Sequence, residues 1–137
     1  VSSNMTKRTV CLTPIGYLEP PKDCKELVTA LLEILNALIP MHKLKIIHRD
    51  LRWDNVLRYS AGGQEWFIID FDDSVHIRKI GRAWIPHQAR DAKDLAQDSH
   101  APEIWNSSTH DEKVDIWSIG YLIQTSHLSI CDEFLQD

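Results

Sequence analysis

Apolar positions along the chain follow two rhythms, separated by polar stretches. Leu27, Leu31, Ile34, Leu35 and Leu38 recur at steps of three and four, the spacing that puts side chains on one face of a helix. Pro20-Pro21-Lys22-Asp23 precedes them, and Asp23 is a candidate N-cap whose carboxylate can accept a first-turn N–H. The pattern predicts a helix from about Asp23 to about Lys43. Pro40 near its end predicts a kink or an early stop, because proline removes an amide donor and crowds the preceding turn.

The second rhythm is short and β-prone. Thr9-Val10-Cys11-Leu12-Thr13 reads as a strand stopped by Pro14 and Gly16. Lys45-Ile46-Ile47 leads into the polar run His48-Arg49-Asp50-Leu51-Arg52-Trp53-Asp54-Asn55, and Asn55-Val56-Leu57-Arg58-Tyr59 leads out of it. Trp66-Phe67-Ile68-Ile69 follows the turn signal Ala61-Gly62-Gly63 and predicts a hairpin. Pairing of these two strands brings Asn55 and Asp70, at the outer ends, to the same edge.

From Ser74 to His100 no period survives. The stretch is charged and poorly periodic, predicting a long loop with a short helix near Asp91 to Leu95. Loops of that length in compact domains are commonly functional or mobile. Ala101-Pro102-Glu103-Ile104-Trp105 opens a short helix, and Lys113 to Ile123 is apolar on most faces, predicting a central buried helix. Asp115 inside it is then a carboxylate in need of partners.

Composition narrows the class. A chain of 137 residues fits one domain. Fifteen basic against 20 acidic residues give a net charge of -5, which disfavours nucleic acid or an anionic membrane as the main partner. Cys11, Cys24 and Cys131 are odd in number and lack a CxxC pair, so neither a disulfide framework nor a zinc site is indicated, and a reducing intracellular, cytoplasmic compartment is expected. No run is long and apolar enough to span a membrane.

Four motifs in order carry a family resemblance: His48 to Asn55 (HRDLRWDN), Asp70 to Asp72 (DFD), Ala101 to Glu103 (APE) and Asp115 to Gly120 (DIWSIG). The chain resembles the C-terminal lobe of a eukaryotic protein kinase. The resemblance implies an α+β, mainly α-helical fold in which a short β-hairpin carries the catalytic and metal loops. Residues 1–137 would then be a partial kinase domain, from the hinge region through the central buried helix, with the N-terminal lobe and the final helices absent.

It further implies a transferase moving the γ-phosphoryl of ATP, with Mg2+, to a Ser/Thr-type hydroxyl of a protein substrate. Asp50 matches the catalytic aspartate, and Arg52 stands where such kinases carry a lysine near the transferred phosphate. Asn55 and Asp70 match the magnesium ligands, and Leu57 the residue beneath the adenine ring. His48 and Phe71 match stacking positions, Asp115 matches a carboxylate that accepts backbone N–H groups from the catalytic loop, and Leu12 to Gly16 resembles the hinge.

The departures define the competing readings. No Gly-rich phosphate loop or strand lysine is present, so these residues alone do not complete a nucleotide cleft and the isolated chain is expected to be inactive. Asp72 replaces a glycine, and Leu95-Ala96 replace Gly-Thr. These changes suit a non-catalytic, pseudokinase-like interaction module. The Asp72-Asp73 pair also occurs in small-molecule kinases of the aminoglycoside phosphotransferase type, although turn acids facing solvent are the simpler account of it. His48 reads as a packed histidine, and the other histidines receive no role. In regulated kinases the Arg49 position pairs with a phosphorylated loop residue, for which only Ser74 and Ser99 offer hydroxyls, and Asp91, Asp94 or Asp98 are its alternative partners; Glu103 is matched with Arg90 or another loop arginine. Uncovered apolar faces on the Ile116 to Ile123 helix predict self-association.

Overall fold

In a computed structural model of the chain, the described residues are 13–77, 79–80, 83–84, 87–88, 97–106 and 109–128. Thr9 to Leu12, Arg90, the Asp91 to Leu95 segment and Ala96 lie outside them. The fold is built from two long helices and small antiparallel sheets. Helix α1 spans Cys24–Lys43, the short α2 Glu103–Asn106, and α3 Lys113–Thr125.

Asp23 caps α1 as its sequence position predicts, its carboxylate accepting the Glu26 N–H at 2.8 Å. Cys24, Leu27, Ala30, Ile34 and Leu38 form the buried stripe. Pro40 does not stop the helix, which continues to Lys43. Its missing donor falls within the last turn, where the helix has little ladder left to lose.

Strands β1 (Ile46–Ile47), β2 (Val56–Arg58) and β3 (Trp66–Ile68) lie where the sequence predicts them. The β2–β3 hairpin is antiparallel, pairing Val56 with Ile68, Leu57 with Phe67 and Arg58 with Trp66. Gly62, with φ +68°, makes the left-handed step of its turn. The predicted long loop contains more pairing than its sequence suggests. Strands β4 (Val75–His76), β5 (Lys79–Ile80), β6 (Ala83–Trp84) and β7 (His87–Gln88) lie in it, and β8 is Thr109–His110. β4 pairs with β1, β5 with β6, and β7 with β8. Each is two residues long, too short for alternation to register.

Two apolar clusters hold these elements. The first joins Ala30, Ile34 and Leu38 of α1 to Val56, Trp66 and Ile68 of the hairpin, with Leu51 and Leu122. The second joins Ile47, Ile77, Ala101, Ile104 and Val114. Ile47 and Leu51 lie in different clusters, so the segment between them is pinned at both ends. α3 is less enclosed than its apolar sequence predicts: Val114, Asp115, Ser118 and Leu122 are buried, but Ile116 is 52% exposed among the described residues.

Candidate active site

The polar run between β1 and β2 is fixed from below by one carboxylate. Asp115 is fully buried and accepts the N–H groups of His48 (2.9 Å) and Arg49 (2.8 Å) on its two oxygens. His42 Nε2, from the last turn of α1, lies 2.8 Å from Oδ2. A change of backbone handedness is one way to turn consecutive N–H groups towards one anion, and Arg49 supplies such a change with φ +72°. A left-handed non-glycine residue costs about 1–2 kcal/mol, which the two charge-assisted hydrogen bonds offset.

His48 is fully buried and links three parts of the site. Its Nε2 lies 3.0 Å from the Ile69 carbonyl, which can only accept, so Nε2 carries the proton. Nδ1 then accepts the Asp50 N–H at 3.3 Å. The ring meets Phe71 edge-on, with centroids 4.9 Å apart. His48 is thus a packed, hydrogen-bonded connector between the run and the residues leaving β3.

Asp50 ends this chain of contacts with both carboxylate oxygens engaged. Asn55 Nδ2 donates to Asp50 Oδ2 at 2.9 Å and to the Asp50 carbonyl at 2.8 Å. Both partners are acceptors, so the amide orientation is fixed and Asn55 Oδ1 remains available. His100 Nε2 lies 3.2 Å and Arg52 Nε 3.6 Å from Asp50 Oδ1. Burial pushes the Asp50 carboxyl up, but hydrogen bonds from His100 and Asn55 with the charges of Arg52 and His100 outweigh it and hold the group below its usual value. It is therefore an anion at neutral pH, able to accept a hydrogen bond from a hydroxyl.

The hairpin delivers the second acid. Ile69 N–H donates to the Asn55 carbonyl at 2.9 Å, extending the ladder one step past β2 and β3. Asn55 and Asp70 consequently emerge at the same edge. Asp70 is exposed, with φ +62°, and its Oδ1 receives only a long 3.4 Å contact from the Asp72 N–H. The left-handed residue is Asp70 and not Asp72, so the acid in place of glycine imposes no positive-φ strain.

These donors fit a magnesium–nucleotide group. Mg2+ takes hard oxygen ligands and is commonly held through one or two protein groups, with phosphates and water completing its shell. Asn55 Oδ1 and the exposed Asp70 carboxylate suit that mode. Among the described residues no group of three or more His, Cys, Asp or Glu forms a ready metal cage, which this mode does not need.

The outer face of the hairpin is apolar. Leu57 and Phe67 share it by register, and Tyr59 packs on Phe67 with ring centroids 4.4 Å apart. Gly16 lies directly against this surface: a Cβ there would approach both Leu57 and Phe67 to 2.6 Å, so only glycine fits. The Gly16 end of the segment read as a hinge therefore reaches Leu57, while Leu12 is outside the described residues. Beside Asp50, a cleft of about 370 Å3 is lined by Arg52, Trp53, Asp54, Asp98, Ser99, Tyr121 and Thr125.

The family model described as the protein kinase domain matches residues 16–129. The chain belongs to the protein kinase family. Crinkler effector protein 8 of Phytophthora infestans is 36% identical over 118 residues, covering 85% of this chain and 18% of that protein. An Aurora kinase of Patiria pectinifera is 36% identical over 103 residues, 75% of the chain and 21% of that kinase. Aurora kinase B of Danio rerio is 37% identical over 100 residues, 73% of the chain and 28% of the kinase. The kinase chain thus spans less than a third of the length of these relatives.

Sequence reasoning missed three contacts. His42 and His100 received no role, yet they touch Asp115 and Asp50 respectively. His100 had one signal, its place just before Ala101-Pro102-Glu103. Arg49 Nε donates to the Asp73 carbonyl at 2.6 Å, a contact the sequence did not suggest; Asp91 and Asp94, two of its expected partners, lie outside the described residues. No helix among the described residues is long and apolar enough to cross a membrane.

Proposed function

We propose that this chain is the C-terminal-lobe part of a protein kinase domain that transfers the γ-phosphoryl of ATP to a Ser/Thr-type hydroxyl of a protein. The observation that carries the reading is the convergence at one hairpin edge of a fixed anion, Asp50, with two hard oxygen donors, Asn55 and Asp70. Mg2+ bound with ATP neutralises charge on the phosphates. Asn55 and Asp70 would hold the ion, and Leu57 would offer the base an apolar contact. Asp50 accepts the hydrogen bond of the acceptor hydroxyl, orients it and takes its proton. Arg52 places a guanidinium 3.6 Å from Asp50, close enough to offset charge on the group in flight. Positioning and fixed charge do the catalytic work.

The test is transfer of labelled γ-phosphate from ATP to a mixed protein acceptor by the full-length protein, dependent on Mg2+ and lost in Asp50→Asn. Equal labelling by wild type and D50N would refute the assignment. The pseudokinase-like alternative rests on the substitutions at Asp72 and Ala96. Binding of a protein partner with no Mg-ATP-dependent thermal stabilisation would favour it.

A further inference from the structure

We infer that His100 is a positioning residue for Asp50, restraining its carboxylate through the close contact of Nε2, 3.2 Å from Oδ1. The inference rests on the phosphotransfer reading of Asp50. A carboxylate turns through a broad torsion about its last carbon–carbon bond, and a donor on one oxygen restrains that rotation only in part. Asn55 supplies the donor on Oδ2 at 2.9 Å. Among the described residues, Oδ1 has two basic neighbours, His100 Nε2 at 3.2 Å and Arg52 Nε at 3.6 Å.

Distance and burial rank these two. At 3.6 Å the Arg52 contact is beyond a good N–H···O bond, and its side chain is 39% exposed, so water and salt screen it. The His100 side chain is 5% exposed, where a polar contact is less screened by water. Its ring is held in turn by the buried Ser99, whose Oγ lies 3.0 Å from Nδ1. The carboxylate can only accept, so Nε2 carries a proton whether the ring is neutral or charged. A neutral ring accepts the Ser99 O–H at Nδ1, and a charged ring donates to it. Either way the contact to Asp50 persists.

Ser99 also lines the cleft beside Arg52. The segment that would face an acceptor thus carries the residue that aims the anion at it. Orientation errors of this kind cost rate without costing nucleotide affinity.

The experiment compares wild type with His100→Leu and His100→Gln in the full-length protein. Gln keeps an N–H at the reach of Nε2, and Leu removes it. H100L should lower kcat by about tenfold to a hundredfold with KM for ATP unchanged, and H100Q should recover most of the loss. Wild-type kcat in H100L, or equal losses in both at an unchanged melting temperature, would overturn the inference. If H100L fails to fold, His100→Asn replaces it, since its shorter amide reaches Ser99 but not Asp50. If wild type and D50N show the same absence of transfer, the proposed function fails while the inference remains readable. The Asn55 side-chain amide resonance should then move in H100L and stay in place in H100Q, and an unmoved resonance in H100L would reject it.

Discussion

The two ends of the β2–β3 hairpin are built from the same ladder and do opposite things. At the turn end, Arg58 is fully buried yet saturated with partners. It is salt-bridged to Glu26 of α1, donates to the carbonyls of Glu19 (3.0 Å) and Gly63, and stacks 4.1 Å above the ring of its cross-strand neighbour Trp66. Its backbone exchanges two hydrogen bonds with Tyr17. At the other end, Asp70 is exposed and Asn55 keeps an oxygen free of hydrogen bonds among the described residues. One end uses its charges to tie three segments together, and the other holds polar groups available to a ligand. Clamping Tyr17 to Pro20 on the hairpin also keeps Gly16 against Leu57.

The comparison breaks most readily at the open end. Asp50→Asn should reduce phosphotransfer by about a thousandfold, measured with labelled ATP, while the melting temperature stays near wild type. A collapse in stability instead would show that the open end is structural. At the closed end, Glu26→Gln removes the nearer of two carboxylates at the buried Arg58, leaving Glu19 Oε2 4.0 Å from its Nε, and should cost about 3 kcal/mol in urea unfolding, with activity per folded molecule preserved. Retained stability would mean that the carbonyls, Glu19 and Trp66 suffice for Arg58.

A smaller effect should separate binding from folding. Saturating Mg-ATP at about a hundred times its Kd should stabilise wild type by about 2.7 kcal/mol, and Asp70→Ala should lose most of that gain without changing ligand-free stability. Unchanged stabilisation in D70A would remove Asp70 from the metal site. The smallest test uses acid. The hydrogen bond from Arg58 holds the Glu26 carboxyl down to about 2, from an ordinary 4.5. The folded value is depressed, so its stabilisation is complete above about 4.5 and is lost as pH falls towards about 2. E26Q should lack this component of the pH dependence, and parallel acid curves for wild type and E26Q would contradict the pairing.

Much of the open end was legible in the sequence because its residues are close along the chain. The run from His48 to Asn55, the glycine turn and the Trp66 to Ile69 strand imply that Asn55 and Asp70 share an edge, and period-two geometry enforces it. Helix α1 was legible for the same local reason, through its cap and its apolar spacing. The Pro40 stop was not, because tertiary packing of Ile34 and Leu38 outweighs a local penalty in the last turn. The strands between Ser74 and His100 escaped because two-residue pairings leave no pattern.

The sequence by itself determined the family, the order of the motifs and the edge where Asn55 and Asp70 meet. Only the tertiary structure decided how Asp50 and Arg58 are held. His100 reaches Asp50 from 50 positions away, His42 reaches Asp115 from 73, and Glu26 reaches Arg58 from 32. Such contacts depend on how helices and loops pack, and a polar residue bound for burial looks, in sequence, like one bound for water. The open end of the hairpin was written locally, whereas the carboxylate at its centre takes its orientation from across the fold.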